Sequence, residues 1–178
     1  MNPEHDPFKS LQYRDSHARV PYFLSNLDRY ILRPDYEQIL LQVWIMGEYG
    51  QFDHRDWAVA FDAANKDRLR KVGQKIPKKA VDQDGRIVVY HGGESGDRFH
   101  SNSWTLSLLV AKKFALMRWR KFDKDGNFAR YHEHAQPTVY KAIIEFDDVL
   151  VYTNRANEHE VIIKTDKIPC RAEVVRRP

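Results

Sequence analysis

A chain of 178 residues with 42% hydrophobic content can bury one sizeable core and is cramped for two full domains. Its 29 basic and 25 acidic residues leave a mild net charge of +4, and the 30% charged content suits a water-facing surface. No run approaches the roughly 18 apolar residues of a membrane span; Cys170 stands alone, excluding an intramolecular disulfide, and MNPEHDPFKS has no apolar signal-type run, so the expectation is a soluble protein of the reducing cytoplasm with no membrane partner.

Residues 1 to about 30 are polar without a clear period and read as an extended arm or short helical turns. From Pro34, apolar residues at Tyr36, Ile39, Leu40, Val43 and Trp44 follow a helix face, with Pro34 at the first turn and Gly47 and Gly50 past the end. Asp53 can cap a second helix carrying Trp57, Phe61, Ala64, Leu69 and Val72 until Gly73. The basic run Lys66, Arg68, Arg70, Lys71, Lys75, Lys78 and Lys79, with Asp67 its one acid, reads either as a phosphate- or nucleic-acid-facing patch or as a solvated helix end. Cations near the negative end of a helix dipole are stabilising, and no aromatics interleave as a stacking platform requires, which favours the solvated end. Pro77, the lysines and Asp82-Gln83-Asp84-Gly85 form a breaker-rich linker.

From Arg86 the pattern becomes that of strands. Ile87-Val88-Val89-Tyr90 fits a short buried strand delivering His91, Gly92 and Gly93 at its end. Ser101 to Leu106 reads as a second strand, and Ser107 can cap a helix bearing Val110, Ala111, Phe114 and Met117. Asp123-Lys124-Asp125-Gly126-Asn127 is a turn; Thr138 to Phe146, Val149 to Tyr152, Glu158 to Lys164 and Arg171 to Val175 complete the strands. The expected class is α+β: a split, mainly antiparallel β-sheet in a core over 81–178, with an N-terminal helical segment over 1–80 packed on it as one compact domain.

Three pieces carry chemistry. In a strand over Glu158-His159-Glu160 the two carboxylates share a face about 6.5–7 Å apart, with His159 opposite. A fixed carboxylate beside an anomeric carbon stabilises positive charge developing there, although a bare Glu-x-Glu is also an ordinary exposed strand edge. On Ser103-Trp104-Thr105, two hydroxyls share one face and Trp104 turns to the core; alternatively, Thr105 and Ser107 merely cap the following helix. In Tyr90-His91-Gly92-Gly93, a residue without Cβ lets a ligand approach the backbone, whose N–H and C=O can clamp a carboxamide.

In this order the pieces resemble the three-part active site of the NAD-dependent ADP-ribosyltransferases, over roughly Arg86 to Lys164. The run Ser103-Trp104-Thr105-Leu106-Ser107-Leu108 is similar to that family's Ser-Thr-Ser-Leu-Ser-Leu strand, with Trp for the central Thr and Ala111 following, and Arg155 precedes the Glu-x-Glu. His91 departs from the Arg that accompanies the Glu-x-Glu pattern in cholera-type members; diphtheria and poly(ADP-ribose) polymerase types have His.

The resemblance implies a mono-ADP-ribosyltransferase of bacterial or phage effector type that uses NAD as co-substrate and transfers ADP-ribose to a macromolecule, more readily a protein than a nucleic acid, with NAD hydrolysis as fallback. It implies that Glu160 stabilises the oxocarbenium-like state and that Glu158 positions or deprotonates the acceptor. Ser103 and Thr105 would orient Glu160 and the ribose, and His91, Gly92 and Tyr90 would hold the nicotinamide riboside. The rival class is a non-catalytic module that binds a protein or nucleic acid on the same sheet.

Other constellations are weaker. His132-Glu133-His134 lacks the further ligands of a zinc site, so no metal is expected. Cys170 has no motif of a nucleophile around it. Gly92-Gly93-Glu94-Ser95-Gly96 lacks the Gly-Lys-Ser/Thr of a P-loop and the dinucleotide-binding spacing.

Overall fold

The computed structural model describes Leu11 and residues 16–47, 54–94, 101–119, 136–167 and 173–175. The chain divides between Gly73 and Gln74 into two compact units, ahead of the 80/81 boundary expected from linker composition.

The first unit is helical: α1 (Ser16–Ser25), α2 (Leu27–Ile31), α3 (Tyr36–Met46), α4 (His54–Ala63) and α5 (Lys66–Val72). Where an arm or short turns were expected, α1 and α2 form despite Pro21 within α1. Tertiary packing accounts for them, since a short helix is marginal alone. Phe23 is wholly buried, its ring 5.0 Å from Tyr30 and 6.3 Å from Trp57, and Trp57 meets Trp44 edge-on at 4.8 Å.

The single second helix expected to run to Gly73 is instead two, broken at Asn65. Asn65 Oδ1 accepts from the Arg68 N–H at 3.0 Å, the bond of an N-cap, while its own N–H donates to buried Glu37 Oε1 at 2.9 Å. Arg70 and Lys71 occupy the last turn of α5, where cations oppose the negative dipole end. The Asp53 cap lies outside the described residues.

Buried Tyr36 donates its hydroxyl to the Ala60 carbonyl at 2.6 Å, and burial first, then the neighbouring Glu37 charge, raises this phenol above its ordinary value of 10.0. A folded-state pKa above the unfolded one gives stability that is complete below about pH 10 and lost as pH rises beyond it, because the unfolded chain releases the proton first. Urea denaturation of Tyr36→Phe should therefore show lower stability near neutrality, by about 1 kcal/mol for the lost bond, and a flatter decline above pH 10 than the parent.

The second unit holds β1 (Arg86–Glu94), β2 (Ser103–Thr105), α6 (Leu108–Trp119), β3 (Pro137–Glu145), β4 (Val149–Thr153), β5 (Glu160–Ile163) and β6 (Glu173–Val175). Its class is α+β. The strands make one sheet in the order β4-β5-β2-β1-β3-β6, antiparallel at every pairing. The three sequence pieces thus lie on, or end at the start of, three adjacent strands, β5, β2 and β1. β1 pairs with β3 along its whole length but with β2 only at Tyr90↔Thr105. His91, Gly92 and Gly93 consequently lie inside β1, whereas the apolar run alone placed them past its end.

Alternation sends Ile87, Val89, Trp104, Tyr140, Ala142, Ile144, Tyr152, Val161 and Ile163 into one buried core. The other face carries Tyr90, Gly92, Ser103, Thr105 and Glu160, and α6 packs onto it with buried Ala111 and Ala115 against Val139, Tyr90 and Leu108. Gly92 is where helix and strand come closest: a Cβ there would sit 2.0 Å from the Ala111 carbonyl oxygen and 2.7 Å from the Ala115 nitrogen. Both obstacles are backbone, so Gly92→Ala must push α6 off the sheet. A destabilisation of about 3 kcal/mol, the upper range for overpacking, is expected as a lowered urea midpoint.

Candidate functional site

Strand β2 sets the site. Its register with β5 pairs Ser103 with Ile162, Trp104 with Val161 and Thr105 with Glu160, so Ser103, Thr105 and Glu160 share a face and Ser103 is the diagonal neighbour of Glu160. Ser103 Oγ donates to Glu160 Oε1 at 2.5 Å. The Glu160 residue is only 5% exposed. A buried carboxylate is costly unless hydrogen-bonded, and a bond to a charged acceptor contributes about 1.5–3 kcal/mol. Trp104 goes to the core as expected, 2% exposed, and its indole N–H donates to the Ser101 carbonyl at 2.9 Å, which locks the strand's facing.

Glu158 departs from expectation. β5 begins at Glu160, and Asn154 to His159 form a hook: Arg155–Asn157 make a 3₁₀ turn, Glu158 is helical (φ −79, ψ −17), and Ala156, Asn157 and His159 have φ of 50, 59 and 50. Strand alternation therefore does not relate the two carboxylates, and the expected strand start at Glu158 is corrected to Glu160. The hook is held by a bond within it and by ties from outside. Asn154 Oδ1 accepts from the His159 N–H at 3.2 Å, the His159 carbonyl accepts from Leu106 N–H at 3.0 Å, and the Tyr152 hydroxyl lies 3.0 Å from His159 Nδ1.

Thr105 provides a further tie. Its hydroxyl donates to the Glu158 carbonyl at 2.6 Å and accepts from Ser107 N–H at 3.1 Å. It thus orients the backbone of Glu158 rather than the carboxylate of Glu160. Ser107 caps α6, accepting from Val110 N–H at 3.3 Å.

His91 Nδ1 lies 2.9 Å from the Ser103 carbonyl oxygen; a carbonyl can only accept, so Nδ1 carries the proton. The ring belongs to the core-facing set of β1, 5.5 Å from Trp104 and 6.5 Å from Tyr140, opposite the face that carries Glu160. It is coupled to the site through the backbone of the residue whose hydroxyl holds Glu160. Gly92 and half-buried Tyr90 are on the Glu160 face but under α6, and the close approach that Gly92 permits is to that helix. The fold therefore brings Ser103, Glu160, Thr105 and the Glu158 backbone together and ties His91 to them, while Gly92 and Tyr90 serve helix packing.

Tyr152 and Asn154, which help build the hook, carry no motif, and His159 stood in the Glu-x-Glu piece only as the residue between the carboxylates. The available signal was the pair of asparagines around Arg155-Ala156, since Asn and His tolerate left-handed backbone better than most residues. Among the described residues no group of three or more His, Cys, Asp or Glu side chains could hold a metal; His132, His134 and Cys170 lie outside them.

Comparison of the chain with protein-family models, curated proteins and solved structures returns no match.

Because buried Thr105 serves both the hook and the start of α6, its hydroxyl should matter to stability. Thr105→Val, nearly isosteric, leaves a carbonyl and an N–H without their partner and should cost about 1–3 kcal/mol in thermal or urea unfolding. Thr105→Ser should recover most of that loss.

Proposed function

We propose that the second unit is an NAD-dependent mono-ADP-ribosyltransferase, which cleaves the nicotinamide–ribose bond and passes ADP-ribose to a macromolecular acceptor, more readily a protein than a nucleic acid. The observation that carries this reading is the Ser103–Glu160 hydrogen bond across β2 and β5. It supplies what the chemistry needs: a negative charge held at a set place before the reaction, against which positive charge on the ribose can develop. The pairing of β5 with β2 supports it further, since it brings the Ser103 and Glu160 pieces to one face, while His91 of the adjacent β1 joins them through the Ser103 carbonyl.

In this reading Glu160 stabilises the oxocarbenium-like state and Ser103 orients it. Glu158, borne on the hook, serves the acceptor, and His91 braces the Ser103 backbone. NAD is the co-substrate. No helix among the described residues is long and apolar enough to cross a membrane, and the composition and lone Cys170 fit a cytoplasmic effector.

One observation favours a second reading. Gly92, the expected carboxamide clamp, is closed by the backbone of α6, which fits a non-catalytic module that uses the same sheet to bind a protein or nucleic acid. Titration calorimetry with NAD separates the two, because the module has no reason to bind NAD.

Incubation with labelled NAD and a cell lysate, followed by mass spectrometry of labelled products, tests the enzyme reading. Glu160→Gln should keep the fold and NAD affinity while turnover falls on the order of 10²–10³-fold. Glu158→Gln should lower transfer while nicotinamide release by hydrolysis survives. Unchanged turnover in Glu160→Gln would sink the assignment.

A further inference from the structure

The placement of Glu158 needs a cause, because its neighbour Glu160 starts a regular strand and simple alternation would bring both carboxylates to one face. Between them stands His159 at φ 50. That backbone is costly for a residue with a Cβ, of order 1 kcal/mol or more, and persists only where the surroundings over-determine it.

Around His159 the surroundings do so. Its N–H goes to Asn154, its carbonyl receives Leu106, and its ring nitrogen meets the Tyr152 hydroxyl. Of these, the Tyr152 contact is the one made by the side chain, and its other end is rigid. Tyr152 is 4% exposed, belongs to the core cluster and is paired in register with Val161. Burial also raises its phenol above the ordinary value of 10.0, so the hydroxyl keeps its proton well beyond neutral pH and can serve either role toward Nδ1.

We infer that Tyr152 and His159 are a positioning pair that holds the backbone left-handed at His159 and so keeps Glu158 out of the strand that Glu160 begins. This rests on the proposed transferase reading for the role of Glu158, but the placement itself is a property of the fold. The physical advantage is separation of function. Like charges on one strand face repel, and a residue outside the strand is released from that alternation. Neither Tyr152 nor His159 needs to touch substrate.

Three variants distinguish anchor from backbone. Tyr152→Phe removes only the hydroxyl and keeps the core volume. His159→Gly keeps the freedom to be left-handed but loses the ring. His159→Asn keeps both left-handed tolerance and a polar group able to donate or accept. Carboxyl ¹³C NMR should show the Glu158 resonance displaced in Tyr152→Phe and His159→Gly and restored in His159→Asn, with the Glu160 resonance unmoved throughout. In the labelled-NAD assay the ratio of acceptor transfer to nicotinamide release should fall about tenfold in the first two, the rate equivalent of one lost hydrogen bond, and recover in His159→Asn.

A Glu158 resonance identical to the parent in both Tyr152→Phe and His159→Gly overturns the inference, as does an unchanged transfer ratio in an active protein. If the parent releases no nicotinamide, the transferase reading fails on its own, and the carboxyl resonance still decides whether the pair positions Glu158.

Discussion

A strand of three residues, β2, joins the two halves of the sheet, and the candidate site hangs from it. Toward β5 it is paired at all three positions; toward β1 it meets only Tyr90 opposite Thr105, supplemented by the His91 ring on the Ser103 carbonyl. Each residue of β2 has a separate task. Ser103 holds Glu160, Trp104 anchors the strand in the core, and Thr105 holds the backbone of Glu158. Period-two alternation makes this possible, because two polar residues can share a face only if the residue between them turns to the other side. A slip of one residue would turn both hydroxyls into the apolar core and the indole away from it.

Unfavourable terms gather at the same place. A carboxylate is buried at Glu160, and three residues other than glycine adopt left-handed backbone within the six residues before it. Such features are stable only when their neighbours hold them, and they concentrate where a fold has a chemical task. Here Ser103, Thr105, Asn154, Leu106 and Tyr152 do the holding. The Glu160 carboxylate has hydrogen-bonded support within the fold itself, from the Ser103 hydroxyl.

The N-terminal unit follows a different logic. Its helices are short, and Phe23, Tyr30, Trp44, Trp57 and Phe61 form a linked set of aromatic contacts that makes them collectively stable. Its ends are set by polar detail: the Asn65 cap, the Asn65 N–H on Glu37 and the basic last turn of α5. Of the basic run, Arg70 and Lys71 lie in the last turn of α5 as expected, whereas Lys66 begins the helix and Lys75, Lys78 and Lys79 are exposed beyond it.

What the sequence determined by itself was local and periodic. The β-branched run at Ile87 to Tyr90, the alternation that turned Trp104 inward and Ser103 and Thr105 together, the Ser107 cap and the α+β class all follow from patterns a few residues long, where side-chain direction is dictated by backbone geometry. What tertiary structure alone decided was how far those patterns extend and what each polar group meets. The helical face from Trp57 to Val72 looked continuous until Glu37, distant in the chain, received the Asn65 N–H and helped fix the break. Gly92 looked like room for a ligand until α6 filled it. Glu158 looked like a partner of Glu160 until Tyr152, Asn154 and Thr105, from two other strands and the turn between them, drew the backbone at His159 into a left-handed bend. In each case the deciding partner lies on another element, and no local period can encode a hydrogen bond whose other end depends on where the whole chain folds.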